Sequence, residues 1–183
     1  MLKKKACFIL GIIFIALALT GAIYYWFEIK PVAIVLIKTD IDPSVAMRGK
    51  IIALDYEISK IPFSLLRDAH PEDIQAGWHN NDIYVALEKE GKYWRAVRAY
   101  RKAPMQKNLV SIWGKCNSKL NNTFYVRYNI ELLRLSDKTA QAVKELWRKK
   151  NSLDMIIGVE ISINYQGKAR IRRIFINDMP SKV

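Results

Sequence analysis

The sequence predicts an α+β protein, in which one N-terminal transmembrane helix precedes a single antiparallel β-rich exported domain with one main helix. Three observations support this prediction: an uncharged N-terminal run, a series of short alternating segments separated by turn residues, and one later segment with helical periodicity. Two cysteines among 183 residues exclude a disulfide scaffold, and a hydrophobic content of 51% excludes a disordered chain.

The uncharged run covers residues 6–27, and three lysines precede it at positions 3–5. A helix of this length rises about 1.5 Å per residue and therefore spans the roughly 30 Å hydrocarbon core of a bilayer. Tyr24, Tyr25 and Trp26 end the run with the aromatic side chains that are typical of the headgroup zone. We therefore interpret residues 6–27 as a transmembrane helix that anchors the protein in the cytoplasmic membrane.

The lysines also predict the orientation of the chain. The positive-inside rule keeps residues 1–5 in the cytoplasm as a basic tip and places everything after Lys30 outside, as an extracytoplasmic C-terminal domain of a single-pass cell-membrane protein. A cleaved signal peptide is the alternative, because Ala16-Leu17-Ala18 resembles a cleavage site. Against it, the apolar run continues nine residues past Ala18, which is longer than a signal peptide needs.

The charge is strongly basic, with 30 Lys and Arg against 17 Asp and Glu, or +13. Such a surplus is compatible with nucleic acid, anionic phospholipid or envelope polymers. Because the domain is predicted to be exported, we expect no nucleic acid partner.

After a linker at residues 28–31, the exported domain covers residues 32–183. A β-branched run at 32–38 predicts the first strand, and residues 51–59 predict the second. One face of the second strand carries Ile52, Leu54, Tyr56 and Ile58. Residues 61–81 are expected to be irregular or briefly helical.

Three hairpins follow from alternation and turn residues. Their strand pairs are 82–88 with 92–101, 109–113 with 124–135 across a polar loop at 117–123, and 155–164 with 168–177. In residues 124–135 the apolar positions are Phe124, Val126, Tyr128, Ile130 and Leu132. In the last strand, alternation places Arg170 and Arg172 on one face and Arg173 with Ile171 on the other.

The main helix of the domain is predicted at residues 137–150. Ser136 is its N-cap, because its hydroxyl can accept a backbone N–H of the first turn. The apolar face carries Ala140, Val143, Leu146 and Trp147.

Two constellations could carry chemistry. His70, Glu72, Asp73 and His79 could supply imidazole and carboxylate ligands for a divalent ion, but their spacing matches no metal motif and we favour a solvated loop. Cys116 is interpreted as an isolated loop cysteine rather than a nucleophile. We assign no catalytic residue and expect no cofactor. For binding, the candidates are the loop before the second strand and the turn of the first hairpin: Asp42, Arg48, Gly49, Lys50 and Gly91.

The segment Gly49-Lys50-Ile51-Ile52-Ala53-Leu54-Asp55-Tyr56 resembles the signature of the GDYXXLXY family of membrane-anchored bacterial proteins. Gly49, Leu54 and Tyr56 keep the signature, whereas Lys50 and Ile51 replace its Asp-Tyr pair. The resemblance implies an N-terminal transmembrane helix, a small exported β-rich domain and a link to regulation of amylopullulanase. It implies no catalytic residues. Physically, we expect Gly49 at a turn and Leu54 with Tyr56 in the core.

The function that these observations favour is a binding or regulatory module for another membrane or envelope protein. The alternatives are a metal-dependent envelope or polysaccharide hydrolase that uses the histidine segment, and a module that binds lipid or an envelope polymer.

Overall fold

A computed structural model of the chain describes residues 2–41, 50–68, 81–104, 109–137, 139–141, 145, 157–176 and 179–181. Side chains are described at these positions except 2–10, 27, 41, 119, 176 and 179–181. Helix α1 covers Leu2–Tyr24, a π-helical turn covers Tyr25–Ile29, and strand β1 covers Pro31–Ile41. Within the described part of the chain, no helix qualifies as long and apolar enough to cross a bilayer.

The rest of the described chain is dominated by antiparallel strands, as predicted. They are β2 Ile51–Tyr56, β3 Lys60–Pro62, β4 Asp82–Glu90, β5 Tyr93–Tyr100, β6 Val110–Leu120, β7 Thr123–Arg127, β8 Leu132–Arg134, β9 Ile157–Asn164, β10 Ala169–Ile176 and β11 Met179–Ser181. Sheet one has the order β11-β10-β9-β1-β2-β8, and sheet two has the order β3-β7-β6-β4-β5.

The two sheets share one hydrophobic core. Alternation along the strands directs many side chains into it, such as Val35 and Ile37 of β1, Ile83 and Val85 of β4, and Ile161 of β9. Burial of such β-branched and aliphatic side chains supplies the main stabilisation, at about 25 cal/mol per Å² of apolar surface.

All three predicted hairpins form, but two strands end earlier than the alternation indicates. The second strand stops at Tyr56, because a 3₁₀ turn at Glu57–Ser59 turns the chain toward sheet two. Leu132, the last of the alternating apolar positions, is 68% exposed, because the chain leaves sheet two after Arg127 and enters sheet one only at β8. The alternation of apolar and polar residues continues through both of these strand ends, so the sequence pattern does not indicate where the strands stop.

The predicted polar loop at 117–123 is also too long. Strand β6 runs on to Leu120, and the turn consists of Asn121 and Asn122, with Asn121 at a φ of 53°. Asparagine tolerates this left-handed conformation better than most residues. Cys116 therefore lies within a strand and is buried, and its interpretation as a loop cysteine is wrong.

A bulge in β10 changes the distribution of its arginines. Ile171 pairs with Ile161 and Arg173 with Glu160, so Arg172 is the extra residue. Arg173 consequently shares its face with Arg170, and the expectation that it joins Ile171 is wrong. A single inserted residue reverses the alternation that follows it.

The start of the main helix agrees with the sequence. The hydroxyl of Ser136 accepts the backbone N–H of Thr139 at 3.3 Å, which confirms the N-cap, and Ala140 is buried. The remaining predicted core residues of this helix lie outside the described residues: Val143, Leu146 and Trp147.

The two sheets are joined where two strands pass from one to the other. The first passage, at residues 56–59, connects β2 of sheet one to β3 of sheet two, and the second, at residues 128–131, connects β7 of sheet two to β8 of sheet one. Because β2 pairs with β8 and β3 pairs with β7, the passages run side by side. We refer to these two segments together as the strand crossing.

Two tyrosines hold the strand crossing together. The hydroxyl of Tyr56 donates to the carbonyl of Ile130 at 2.8 Å, and the hydroxyl of Tyr128 donates to the carbonyl of Ile58 at 2.5 Å. Each tyrosine thus bonds the residue two positions beyond the other, and both side chains are buried. We call them the reciprocal tyrosine pair.

Burial raises the pKa of both hydroxyls in this pair, and the nearby carboxylate of Glu131 raises each pKa further. Glu131 is held in place because its carboxylate accepts the backbone N–H of Tyr128 and its own carbonyl accepts that of Leu54. The hydroxyls are therefore neutral donors at physiological pH.

Replacing Tyr56 by Phe is expected to lower the free energy of unfolding by about 1–3 kcal/mol, since it leaves the buried carbonyl of Ile130 without its donor. Urea unfolding of the purified full-length chain measures the change. Tyr125→Phe, at a half-buried position of β7, is the matched control and should cost less than about 0.5 kcal/mol. Equal losses for the two variants would contradict a special role for Tyr56.

Alkaline conditions are expected to weaken the fold through the same hydroxyls. Because each folded-state pKa is raised above the ordinary 10.0, the unfolded chain loses these protons first. The contribution of these two tyrosines to the free energy of unfolding is therefore complete below about pH 10. Above that pH it falls by about 1.4 kcal/mol per pH unit for each tyrosine. Urea unfolding followed through this range should give a shallower slope for Tyr56→Phe than for the parent chain.

Candidate functional site

Most residues of the predicted binding and metal sites lie outside the described residues. This applies to Asp42, Arg48, Gly49, His70, Glu72, Asp73 and His79. Among the residues that the structure does describe, no group of three His, Cys, Asp or Glu side chains could hold a metal ion.

The segment that leads toward the histidines is tied to the end of β5. Leu66 forms a parallel bridge with Ala99, and the backbone N–H of Arg67 donates to the carbonyl of Ala99 at 3.0 Å. The carboxylate of Asp68 accepts the backbone N–H of Arg101 at 2.8 Å. Asp68 therefore closes the strand end by accepting backbone donors, which is a structural use of its carboxylate.

Lys50 and Gly91, the remaining binding candidates, lie at the ends of strands in different sheets. The Lys50 ammonium is 2.6 Å from the carboxylate of Asp137, and its carbonyl accepts the N–H of Leu135 at 2.8 Å. Gly91 lies in the turn between β4 and β5 at a φ of 59°, which favours glycine. The two residues do not share an element or a strand pair.

Cys116 has the surroundings of a structural cysteine. Its side chain is buried in β6, and burial raises the pKa of the thiol, which disfavours the nucleophilic thiolate.

An open groove of about 690 Å³ lies along the strand crossing. It is lined by residues from both passages and from the strands beside them: Ala53, Leu54, Asp55, Ser59, Lys60, Asn117, Tyr125, Val126, Arg127, Asn129, Glu131 and Leu132. We call it the crossing groove. The chain passes from β7 to β8 beside the groove through residues 128–131, where Asn129 adopts a φ of 61°.

The lining of the crossing groove is mixed, with more apolar than polar surface, and it carries several charged side chains. The ammonium of Lys60 bonds the carboxylate of Asp55 at 2.7 Å, and this hydrogen bond raises the pKa of Lys60. Arg127 is an exposed residue of the wall, and Leu132, the most exposed apolar side chain of the lining, marks the rim. Sequence reasoning missed this groove because its residues come from four separate stretches of chain.

A second cleft, of about 370 Å³, lies where the β9–β10 turn meets sheet two. Its lining contains three aromatic side chains, Tyr84, Trp113 and Tyr165. The turn approaches β6 closely, because the N–H of Trp113 donates to the carbonyl of Gly167 at 2.8 Å. Gly167 has a φ of 81°, and a Cβ there would lie 3.0 Å from the Trp113 nitrogen, so only glycine fits.

Asn164 connects this turn to the end of the N-terminal helical segment. Its buried amide donates from Nδ2 to the carbonyl of Glu28 at 3.0 Å, and its Oδ1 accepts the N–H groups of Gln166 and Lys168 at 3.0 and 2.9 Å. The Lys168 ammonium also bonds both carboxylate oxygens of Glu28 at 3.0 Å. We call this network the exit clamp.

Together these features define a β domain of two antiparallel sheets. The sheets are joined at the strand crossing by the reciprocal tyrosine pair, and the exit clamp connects the domain to an N-terminal helical segment. The model of the family described as GDYXXLXY protein matches residues 32–174, and the chain belongs to this family. Comparisons with curated proteins and with solved structures find no match.

The family signature acquires a structural explanation at the crossing. Leu54 and Tyr56 are both buried, as expected from the strand pattern, and Tyr56 is one half of the reciprocal tyrosine pair. Lys50 and Ile51, which replace the Asp-Tyr of the signature, are exposed. Their positions do not contribute side chains to the core, so substitution there leaves the core intact.

Replacing Asn164 by Ala is expected to destabilise the chain by about 2–4 kcal/mol, because three hydrogen bonds and their partners in the turn are lost together. Ser162→Ala, two residues earlier on β9, is the control and removes only a 3.4 Å bond to the carbonyl of Arg170. Urea unfolding of both variants measures the difference. If both unfold at the same urea concentration, the exit clamp does not stabilise the turn.

Proposed function

We propose that this protein is a single-pass membrane protein with its N-terminus in the cytoplasm, whose extracytoplasmic β domain binds another membrane or envelope protein through the crossing groove. The observation that carries the proposal is the groove itself, which combines a largely apolar lining with charged side chains and the exposed side chain of Leu132. Binding, rather than catalysis, is the activity that such a surface favours.

The anchor is supported by the composition of the N-terminal helix. Residues 6–27 carry no charge, and large apolar side chains of α1 remain exposed to the surroundings. These include Ile12, Ile13, Phe14, Ile15, Leu17, Leu19 and Ile23, with Phe14 74% exposed. In water such a surface is unfavourable, at about 25 cal/mol per Å², whereas lipid tails would cover it without that cost.

The binding role is supported by the chemistry of the groove. Leu132 is exposed at its rim, and Ile51 is exposed on the adjacent strand β2. Together with the apolar part of the groove lining, they provide an apolar area bordered by charged side chains, which suits binding of a protein. Arg127 offers a planar cation on the wall, which suits a carboxylate on the partner. We infer a partner that presents an apolar side chain next to an acidic one.

Photo-crosslinking in intact cells tests this function. A diazirine amino acid at Leu132 is expected to capture one protein reproducibly, because Leu132 lies on the rim of the groove. Leu120 is the matched control, since it is similarly exposed, at 60%, but lies at the β6–β7 turn. Mass spectrometry identifies the adducts.

Introducing a negative charge at Leu132 should then weaken binding of the partner and lower the yield of the crosslinked adduct. With the probe at Ile51, an exposed residue on the same sheet face as Leu132, the Leu132→Asp variant is expected to lose at least about ten-fold in adduct yield, corresponding to about 1.4 kcal/mol. Capture of the same proteins at Leu120 as at Leu132, or no protein adduct at Leu132, would contradict the proposal.

A further inference from the structure

We propose that the β9–β10 turn, residues 164–168, is a second membrane contact, which places Tyr165 among the headgroups of the bilayer that α1 crosses. This inference rests on the proposed anchoring of α1, and it identifies the face of the domain that lies on the lipid. The occupant is a phospholipid surface with anionic headgroups.

The first argument is geometric. Three donor–acceptor contacts of 3.0 Å connect Glu28, in the last turn before β1, to Asn164 and Lys168 on either side of Tyr165. Pro31, the first residue of β1, also pairs with Asn164. The turn therefore stays beside the point where the chain leaves the helix, and a bilayer around α1 ends at the same level.

The second argument is the chemistry of the exposed side chains at this end. Tyr165 is 66% exposed, and Tyr25 and Trp26 are exposed in the π-helical turn next to it. Tyrosine and tryptophan concentrate at membrane interfaces, because the ring is apolar and the hydroxyl or N–H remains hydrated. Val32 is exposed beside Pro31 and adds an aliphatic side chain at the same end.

The third argument is charge. Lys30 stands with its ammonium 3.4 Å from the ring centroid of Trp26, and Arg170 lies on β10 opposite Ser162, two positions from Asn164. Arg172, the bulge residue, is also exposed. Bases near an anionic membrane surface contribute about 1 kcal/mol each. Glu28 is already paired with Lys168. The exposed Asp82 also lies beside Tyr165, but the three bases Lys30, Arg170 and Arg172 outnumber it, so the charge at this end remains positive.

The experiment uses the full-length chain reconstituted into vesicles of phosphatidylethanolamine and phosphatidylglycerol. A diazirine amino acid is placed in turn at Leu17 of α1, at Tyr165 and at Leu120, and lipid adducts are quantified by mass spectrometry. Leu120 is the matched control for exposure, and it lies seven residues beyond Trp113 on β6, or about 23 Å along the strand.

The expected result is lipid adducts at 17 and 165, with at least about five-fold fewer at 120. Adducts at 17 but not at 165 would overturn the membrane contact and leave the anchor intact. Absence of adducts at 17 would instead reject the anchoring on which the inference rests. Equal yields at 165 and 120 would show that the turn has no preferred contact with lipid.

A second measurement tests the charge. Replacing phosphatidylglycerol by phosphatidylcholine, or introducing Arg170→Ser together with Arg172→Ser, is expected to lower the adduct yield at 165 by at least about three-fold without changing the yield at 17. An unchanged yield at 165 in both cases would overturn the assignment of anionic headgroups as the binding partner.

Discussion

The reciprocal tyrosine pair is the interaction on which the rest of the structure depends. Two strands leave one sheet and enter the other at the same place, and each passage interrupts the backbone ladder. The carbonyls of Ile58 and Ile130 are buried there and receive the hydroxyls of Tyr128 and Tyr56. Without these donors the passages would expose unpaired carbonyls to the core, at a cost of about 1–3 kcal/mol each. The crossing groove lies along these same passages.

This dependence explains which part of the family signature is retained. Tyr56 combines burial with a directed hydrogen bond, and Leu54 fills the core next to it, so neither can change alone without loss. Lys50 and Ile51 differ from the signature at exposed positions, where Lys50 pairs with Asp137 on the surface. An exposed ion pair contributes at most about 1 kcal/mol, so other residues can replace it.

The sequence predicted the strands well because alternation records which side chains face a core. It could not predict the crossing, since Tyr56, Ile58, Tyr128 and Ile130 keep the same alternation while the backbone changes sheets. The bulge at Arg172 was missed for a related reason: one extra residue leaves no compositional trace. The crossing groove and the exit clamp join residues that are distant in sequence, such as Glu28 and Lys168, and single-sequence patterns do not report such pairings.

The exit clamp and the strand crossing lie at opposite ends of β1. Pro31 pairs with Asn164 at the clamp, and Ile41 pairs with Leu54 beside the groove, ten residues or about 33 Å along the strand. If the clamp rests on the headgroups, this separation carries the groove away from the bilayer, where a protein partner can reach it. Because Asn164 and Lys168 fix the turn to Glu28, the domain has a defined direction relative to α1. A rigid arrangement of this kind suits recognition, since little orientational freedom is left to be lost on binding.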